Sequence, residues 1–185
     1  GGNLEIELPE YPDVTFRWYP EKMDAAMGSE VTQLYTGMPI WNTYFCDLTG
    51  DGRPDLCSTL SFGSGIIDSR IIVYDYANGT SYMLEDRGKY DYSLRLTETD
   101  GCLWVVKKAY NSDDLISSGH ILFKDGCIQI ENTHASLPQM LFDDYPIYDS
   151  IVFDVDGDGI DEVCVLGFGR TSGLFTFTFR AAEIG

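Results

Sequence analysis

Apolar and polar residues alternate in short runs along most of the chain, and the runs end at Gly, Asn-Gly or Asp-Gly pairs. A period of two marks strands with one face in a core, and glycine-containing pairs mark hairpin turns. Val14 to Trp18 reads as a strand carrying Phe16 and Trp18. Lys22 to Tyr35 reads as two short strands about Gly28-Ser29, and Trp41 to Phe45 as another strand. The clearest hairpin is Arg70 to Tyr76, Asn78-Gly79, then Thr80 to Leu84, because Asn-Gly favours the type I′ turn that matches strand twist. Tyr92–Thr97 pairs with Cys102–Tyr110 across Asp100-Gly101, and His120–Phe123 with Cys127–Ile130 across Asp125-Gly126. Leu174 to Phe179 alternates strictly, which places Phe175, Phe177 and Phe179 inward and two threonines outward. No stretch sustains a helical period, and residues 133–149 form the one long irregular connection. The prediction is a single all-β domain over residues 1–185, antiparallel and rich in hairpins.

With 185 residues the chain is long enough to bury a sizeable core, and aromatics at 14% lean toward β structure. The formal charge of −18 argues against nucleic acid and against anionic membrane surfaces as direct partners. No apolar run has the length of a membrane span, and no signal peptide is visible. The opening Gly-Gly-Asn without an initiator Met suggests a processed or excised piece of something longer. The five cysteines contain no Cys-x-x-Cys spacing. Cys57 and Cys164 sit in apolar strands and read as buried small hydrophobes. A bridge between Cys102 and Cys127 is one option that sequence leaves open.

Two segments break the hydrophobic alternation in the same way: Cys46-Asp-Leu-Thr-Gly-Asp-Gly-Arg-Pro-Asp-Leu-Cys57 and Phe153-Asp-Val-Asp-Gly-Asp-Gly-Ile-Asp-Glu-Val-Cys164. Oxygen side chains recur at alternate positions, and two glycines allow a sharp bend. A hard cation such as Ca²⁺ wants six to eight oxygen ligands presented in this manner. The first loop offers Asp47, Thr49, Asp51, the carbonyl of Arg53, and Asp55. The second offers Asp154, Asp156, Asp158, the carbonyl of Ile160, and Glu162. An EF-hand needs a bidentate Glu at position twelve, where Ser58 and Val165 stand, so neither loop is an EF-hand. The alternative is a cluster of Asx turns, in which Asp and Thr bond their own backbone with no ion. The second loop favours Ca²⁺, since its adjacent carboxylates are costly to leave unneutralised; Thr49 weakens the case for the first.

The residues after each loop repeat as well: Leu60-Ser-Phe62-Gly63-Ser64-Gly65 after one, Leu166-Gly-Phe168-Gly169 to Ser172-Gly173 after the other. Shared order at this scale points to a repeated structural unit. Residues 45–65 and 153–173 resemble the FG-GAP/VCBS repeat, which binds Ca²⁺ between strands in integrin α propellers and many secreted bacterial proteins. The resemblance implies that the ten positions named above are the ligand positions. Two copies are too few to close a propeller, so the expected architecture is a sandwich or partial-propeller-like assembly of blade-like hairpins.

A second resemblance spans most of the chain. Phe16-Arg-Trp18, Pro20-Glu-Lys22, Leu34-Tyr-Thr-Gly-Met-Pro-Ile-Trp41, Ser61 to Asp68 and Ile72 to Gly79 look like the extracellular C-terminal region of BlaR/MecR-type membrane metallopeptidases of Firmicutes. It implies a sensing or accessory domain at the surface of a Gram-positive bacterium, responding to a protein or small-molecule signal, with any membrane tether outside this chain. It does not imply penicillin binding: no Ser stands three residues before a Lys, and His-Glu-x-x-His is absent. Only two histidines exist, His120 in a strand and His134 in the irregular segment, and no Gly-x-Ser-x-Gly elbow is present. Carboxylates are plentiful, but abundance alone does not define a glycosidase pair. The expected function is therefore non-catalytic: a calcium-stabilised extracellular sensing or interaction domain. The alternative is a secreted or lipid-anchored glycan-binding protein using exposed aromatics such as Trp41, Tyr44, Tyr145 and Tyr148, residues that β cores also use for packing.

Overall fold

The computed structural model describes residues 4–96, 103–132, 147–153, 162–169 and 173–180; from residue 132 onward, and at Leu96, only the backbone is described. Fifteen strands are described and no helix is among them, so the all-β expectation holds. They form three sheets. The first is the meander β1 (Leu4–Glu7), β2 (Thr15–Trp18), β3 (Lys22–Met27) and β4 (Glu30–Thr36). Another meander comprises β9 (Tyr90–Leu96), β10 (Leu103–Ala109), β11 (Leu115–Lys124) and β12 (Cys127–Asn132).

Between them lies a seven-stranded sheet. It holds β5 (Ile40–Cys46), β6 (Asp55–Phe62), β7 (Asp68–Asp75), β8 (Thr80–Leu84), β13 (Ile147–Phe153), β14 (Glu162–Gly169) and β15 (Gly173–Arg180). Its order is β15-β14-β13-β5-β6-β7-β8. Strands β5, β6 and β7 of this sheet are covered on both faces, and the sequence shows why. In β6, Leu56 and Leu60 join Phe16, Trp18 and Met23 in one core, while Cys57 between them joins Tyr92, Leu94 and Val105 in the other. In β7, Ile72 faces the first core, and Ile71 and Val73 the second. Strands covered on both sides lose the polar half of their alternation. β6 accordingly reads as an almost unbroken buried run.

Polar stitches fix both interfaces. Tyr35 of β4 and Thr43 of β5 each lie 2.8 Å from the Ser58 hydroxyl, all three buried. On the opposite face, Asn42 donates to the Leu94 carbonyl, and Leu94 N–H donates to Thr59 Oγ1. Buried groups satisfied in this way set register, because a slip would strand each of them in a core.

Four sequence expectations change. All described ladders but one are antiparallel; β13 pairs β5 in parallel, with Ser150 opposite Tyr44 and Ile151 opposite Phe45. The β7–β8 hairpin closes through four residues, 76–79, rather than through Asn78-Gly79 alone. Asp75 causes this: its carboxylate accepts from Asn78 N–H and Nδ2 and caps the turn from the end of β7. Residues 147–149, read as irregular, open β13. Tyr44, grouped with exposed aromatics, is buried in the core it shares with Tyr92. The inward placement of the β15 phenylalanines, Cys102, Cys164 and His134 lie outside the described residues and side chains.

Candidate functional site

The first acidic loop connects Cys46 to Asp55, which face each other across the β5–β6 ladder. Gly50 and Gly52 take φ of +77° and +87°, so the bend uses the backbone region that glycine enters without strain. Asp47 caps the bend: Oδ1 accepts from Gly50 N–H at 2.7 Å and from Asp51 N–H at 3.1 Å, and Oδ2 from Gly52 N–H at 2.8 Å. Asp55 closes the loop from the other side. Its Oδ2 accepts from Leu48 and Thr49 N–H, both at 2.8 Å, and its Oδ1 from the Thr49 hydroxyl at 3.1 Å. Asp51 accepts from Arg53 N–H and, through Oδ2, from Asn78 Nδ2. Asn78 also donates to Asp75, so one amide bridges the loop to the β7–β8 turn.

Asp55 is fully buried, and that desolvation raises its carboxyl pKa to about 6 despite the opposing hydrogen bonds from Thr49 and Leu48; Asp75 adds to the rise. The Tyr11 hydroxyl donates to the Pro54 carbonyl and anchors the end of the loop; burial, with Asp51 and Asp55 nearby, pushes its pKa up as well.

These bonds are those of an Asx-turn cluster. The donor set is all oxygen, as Ca²⁺ requires, and Asp47, Thr49, Asp51 and Asp55 each engage a group within the protein. Among the described residues, no three His, Cys, Asp or Glu side chains form a group able to hold a metal ion. Asp154, Asp156, Asp158 and Ile160 lie outside the described residues. Glu162 is described as the first residue of β14, without its side chain.

The parallel β13–β5 pairing has a direct bearing on both loops. Strands β5 and β13 run in the same direction as neighbours, so their acidic loops leave the same end of the central sheet, about 5 Å apart at the strand ends. Sequence reasoning found the loops but not this adjacency, which depends on a pairing across more than a hundred residues. It also missed Asp75, Asn78 and Tyr11 as supports of the first loop. The Asn-Gly signal located the turn that carries Asn78 without indicating what that amide would reach.

The remaining candidates separate cleanly. Trp41 sits where the β5–β6 register skips a residue and is 50% exposed, its Nε1–H donated to Ser61 Oγ. Tyr145 lies outside the described residues, and Tyr148 is in β13 without a described side chain. His120 packs its ring edge-on against Trp104 at 4.7 Å. Cys57 is buried, which pushes its thiol pKa well up and leaves it unreactive. Cys127 is exposed and forms no disulfide among the described residues. No helix of the described residues is long and apolar enough to cross a membrane. No family model matches the chain, and no curated protein or solved structure matches it significantly.

Proposed function

We propose that this chain is a non-catalytic, calcium-stabilised extracellular sensing or interaction domain, of the kind its resemblance to FG-GAP repeats and to BlaR-type receptor regions implies. The observation that carries the reading is the common exit of both acidic loops from adjacent parallel strands. Asp47, Asp51 and Asp55 then share one end of the sheet with the start of the loop bearing Asp154, Asp156 and Asp158. A concentration of negative charge in an already acidic chain is relieved by a divalent cation. The second loop, with Asp154, Asp156, Asp158, the Ile160 carbonyl and Glu162, would hold it. The first loop, where Thr49 stands in place of a carboxylate, is the weaker candidate.

Calorimetric titration is expected to give one Ca²⁺ per chain and a rise in melting temperature, since an ion bound only by the folded state stabilises it. Asp156→Ala and Asp158→Ala are expected to lower the melting temperature in Ca²⁺ and leave it little changed in chelator. No heat of binding, or equal losses under both conditions, would sink the calcium reading.

Glycan binding by a secreted or lipid-anchored protein is the second reading, and Trp41 is the observation favouring it. With its N–H satisfied internally, the half-exposed ring presents an apolar surface suited to stacking on a sugar. A glycan array showing no ligand lost on Trp41→Ala would dismiss it. The sequence preceding residue 1 separates the two readings: a membrane helix after a metallopeptidase supports the first, a lipobox cysteine the second.

A further inference from the structure

A cleft of about 250 Å³ opens between the 9–13 turn, the β3–β4 turn, the β7–β8 turn and the first acidic loop. Part of its wall is apolar: Tyr11, Tyr76, Val14 and Met27 line it, and the Tyr11 and Tyr76 rings meet edge-to-face at 5.1 Å. Three charged side chains line it as well, Glu10 and Asp13 from the turn and Arg53 from the loop. Among the described residues none of these three makes an ion pair. Two acids and a guanidinium therefore border one apolar hollow without neutralising each other. One wall is anchored, because the Tyr11 hydroxyl bonds the Pro54 carbonyl next to Arg53, while Glu10, Asp13 and Arg53 are exposed at the rim.

We propose that this cleft binds a free α-amino acid with an apolar side chain. Size and charge together select that class. The volume lies below the roughly 300–1,000 Å³ of pockets for drug-sized ligands, so the occupant is small. A simple anion would meet two carboxylates on a chain of net charge −18, and a simple amine would meet the guanidinium. A zwitterion is opposed by neither: its carboxylate pairs with Arg53, its ammonium with Glu10 or Asp13, and its side chain lies on Tyr76 and Met27. The cleft supplies a signal class for the sensing reading, and rests on that reading only for its biological meaning. Nothing in the binding requires Ca²⁺.

The test is calorimetry of the whole chain with L-leucine and L-phenylalanine, in Ca²⁺ and again in chelator. Both amino acids are expected to bind under both conditions. N-acetyl-L-leucine, which lacks the ammonium, and L-leucinamide, which lacks the carboxylate, should each bind about two- to fivefold more weakly, one exposed charge-assisted contact being lost. Arg53→Gln, at an exposed loop position, should weaken L-leucine by a similar factor without changing the melting temperature. Glu10→Gln combined with Asp13→Asn should do the same. The proposal is overturned if neither amino acid binds at about 10 mM, if the blocked analogues bind equally well, or if Arg53→Gln leaves affinity unchanged. Binding in chelator together with no Ca²⁺ heat would retain the cleft and discard the calcium reading.

Discussion

Asp55 is the residue where burial and charge conflict most openly. The folded chain holds its proton more tightly than the unfolded chain does, between the ordinary carboxyl value of 3.8 and about 6. Where the native state binds more protons, stability falls as pH rises, so the ionised form carries its cost above that window. Allowing for solvent screening, that cost is on the order of 1–2 kcal/mol. In chelator, denaturation between pH 4 and 7 is expected to show this loss with rising pH in the wild-type chain, relative to Asp55→Asn, which cannot ionise. Parallel pH profiles for the two would refute it. Asp68 acts with the opposite sign and at lower pH: burial works against its charge, but the Arg70 and Gly88 donors outweigh that and hold its pKa below the ordinary value. Its stabilising contribution is present above the ordinary carboxyl value and lost below it. From sequence, Asp55 was recognisable as the last oxygen of a loop. Its burial was not, because that depends on the two layers covering β6.

Among the elements, the β6–β7 connection shows how a sequence signal acquires a structural cause. Phe62 ends β6 and Gly63 comes next with φ of +135°. A Cβ there would stand 1.8 Å from the Ile66 carbonyl oxygen, so neither the backbone angle nor the space admits a side chain. Gly63→Ala is expected to cost about 2–4 kcal/mol in chemical denaturation, through strain and displacement of the 64–67 turn. A loss under about 1 kcal/mol would mean the turn relaxes at little expense. The Phe-Gly pair was legible as a repeat marker, and the hairpins β3–β4, β7–β8 and β11–β12 were legible from local turn chemistry. Strand β1 was missed because Leu4–Glu7 is too short for alternation to stand out. The β13–β5 pairing was missed because nothing local specifies which strands meet across such a separation. For the candidate site the same division holds: loop composition was written in the chain, whereas the Asn78 bridge and the Tyr11 anchor required tertiary structure.

At the scale of the whole molecule, charge and symmetry remain. Thirty acids face twelve lysines and arginines, and the described ion pairs engage few of the acids. Self-repulsion of this kind is screened by salt. Raising NaCl from about 10 mM to about 0.5 M, without Ca²⁺, is expected to raise the melting temperature by several degrees; a fall or no change would show that local ion pairs outweigh the net field. The strand order carries a different consequence. The central sheet holds two three-stranded meanders, β5-β6-β7 and β13-β14-β15, and the two meet along their first strands running the same way. The operation relating them is a half-turn about an axis lying along the strands, which exchanges the faces of the sheet. A half-turn applied twice returns to the start, so this arrangement is complete at two copies. Propeller blades are related by rotation about a central channel and need further copies before the ring shuts. Two meanders related in this way complete the dyad, and a third would have no equivalent place within it.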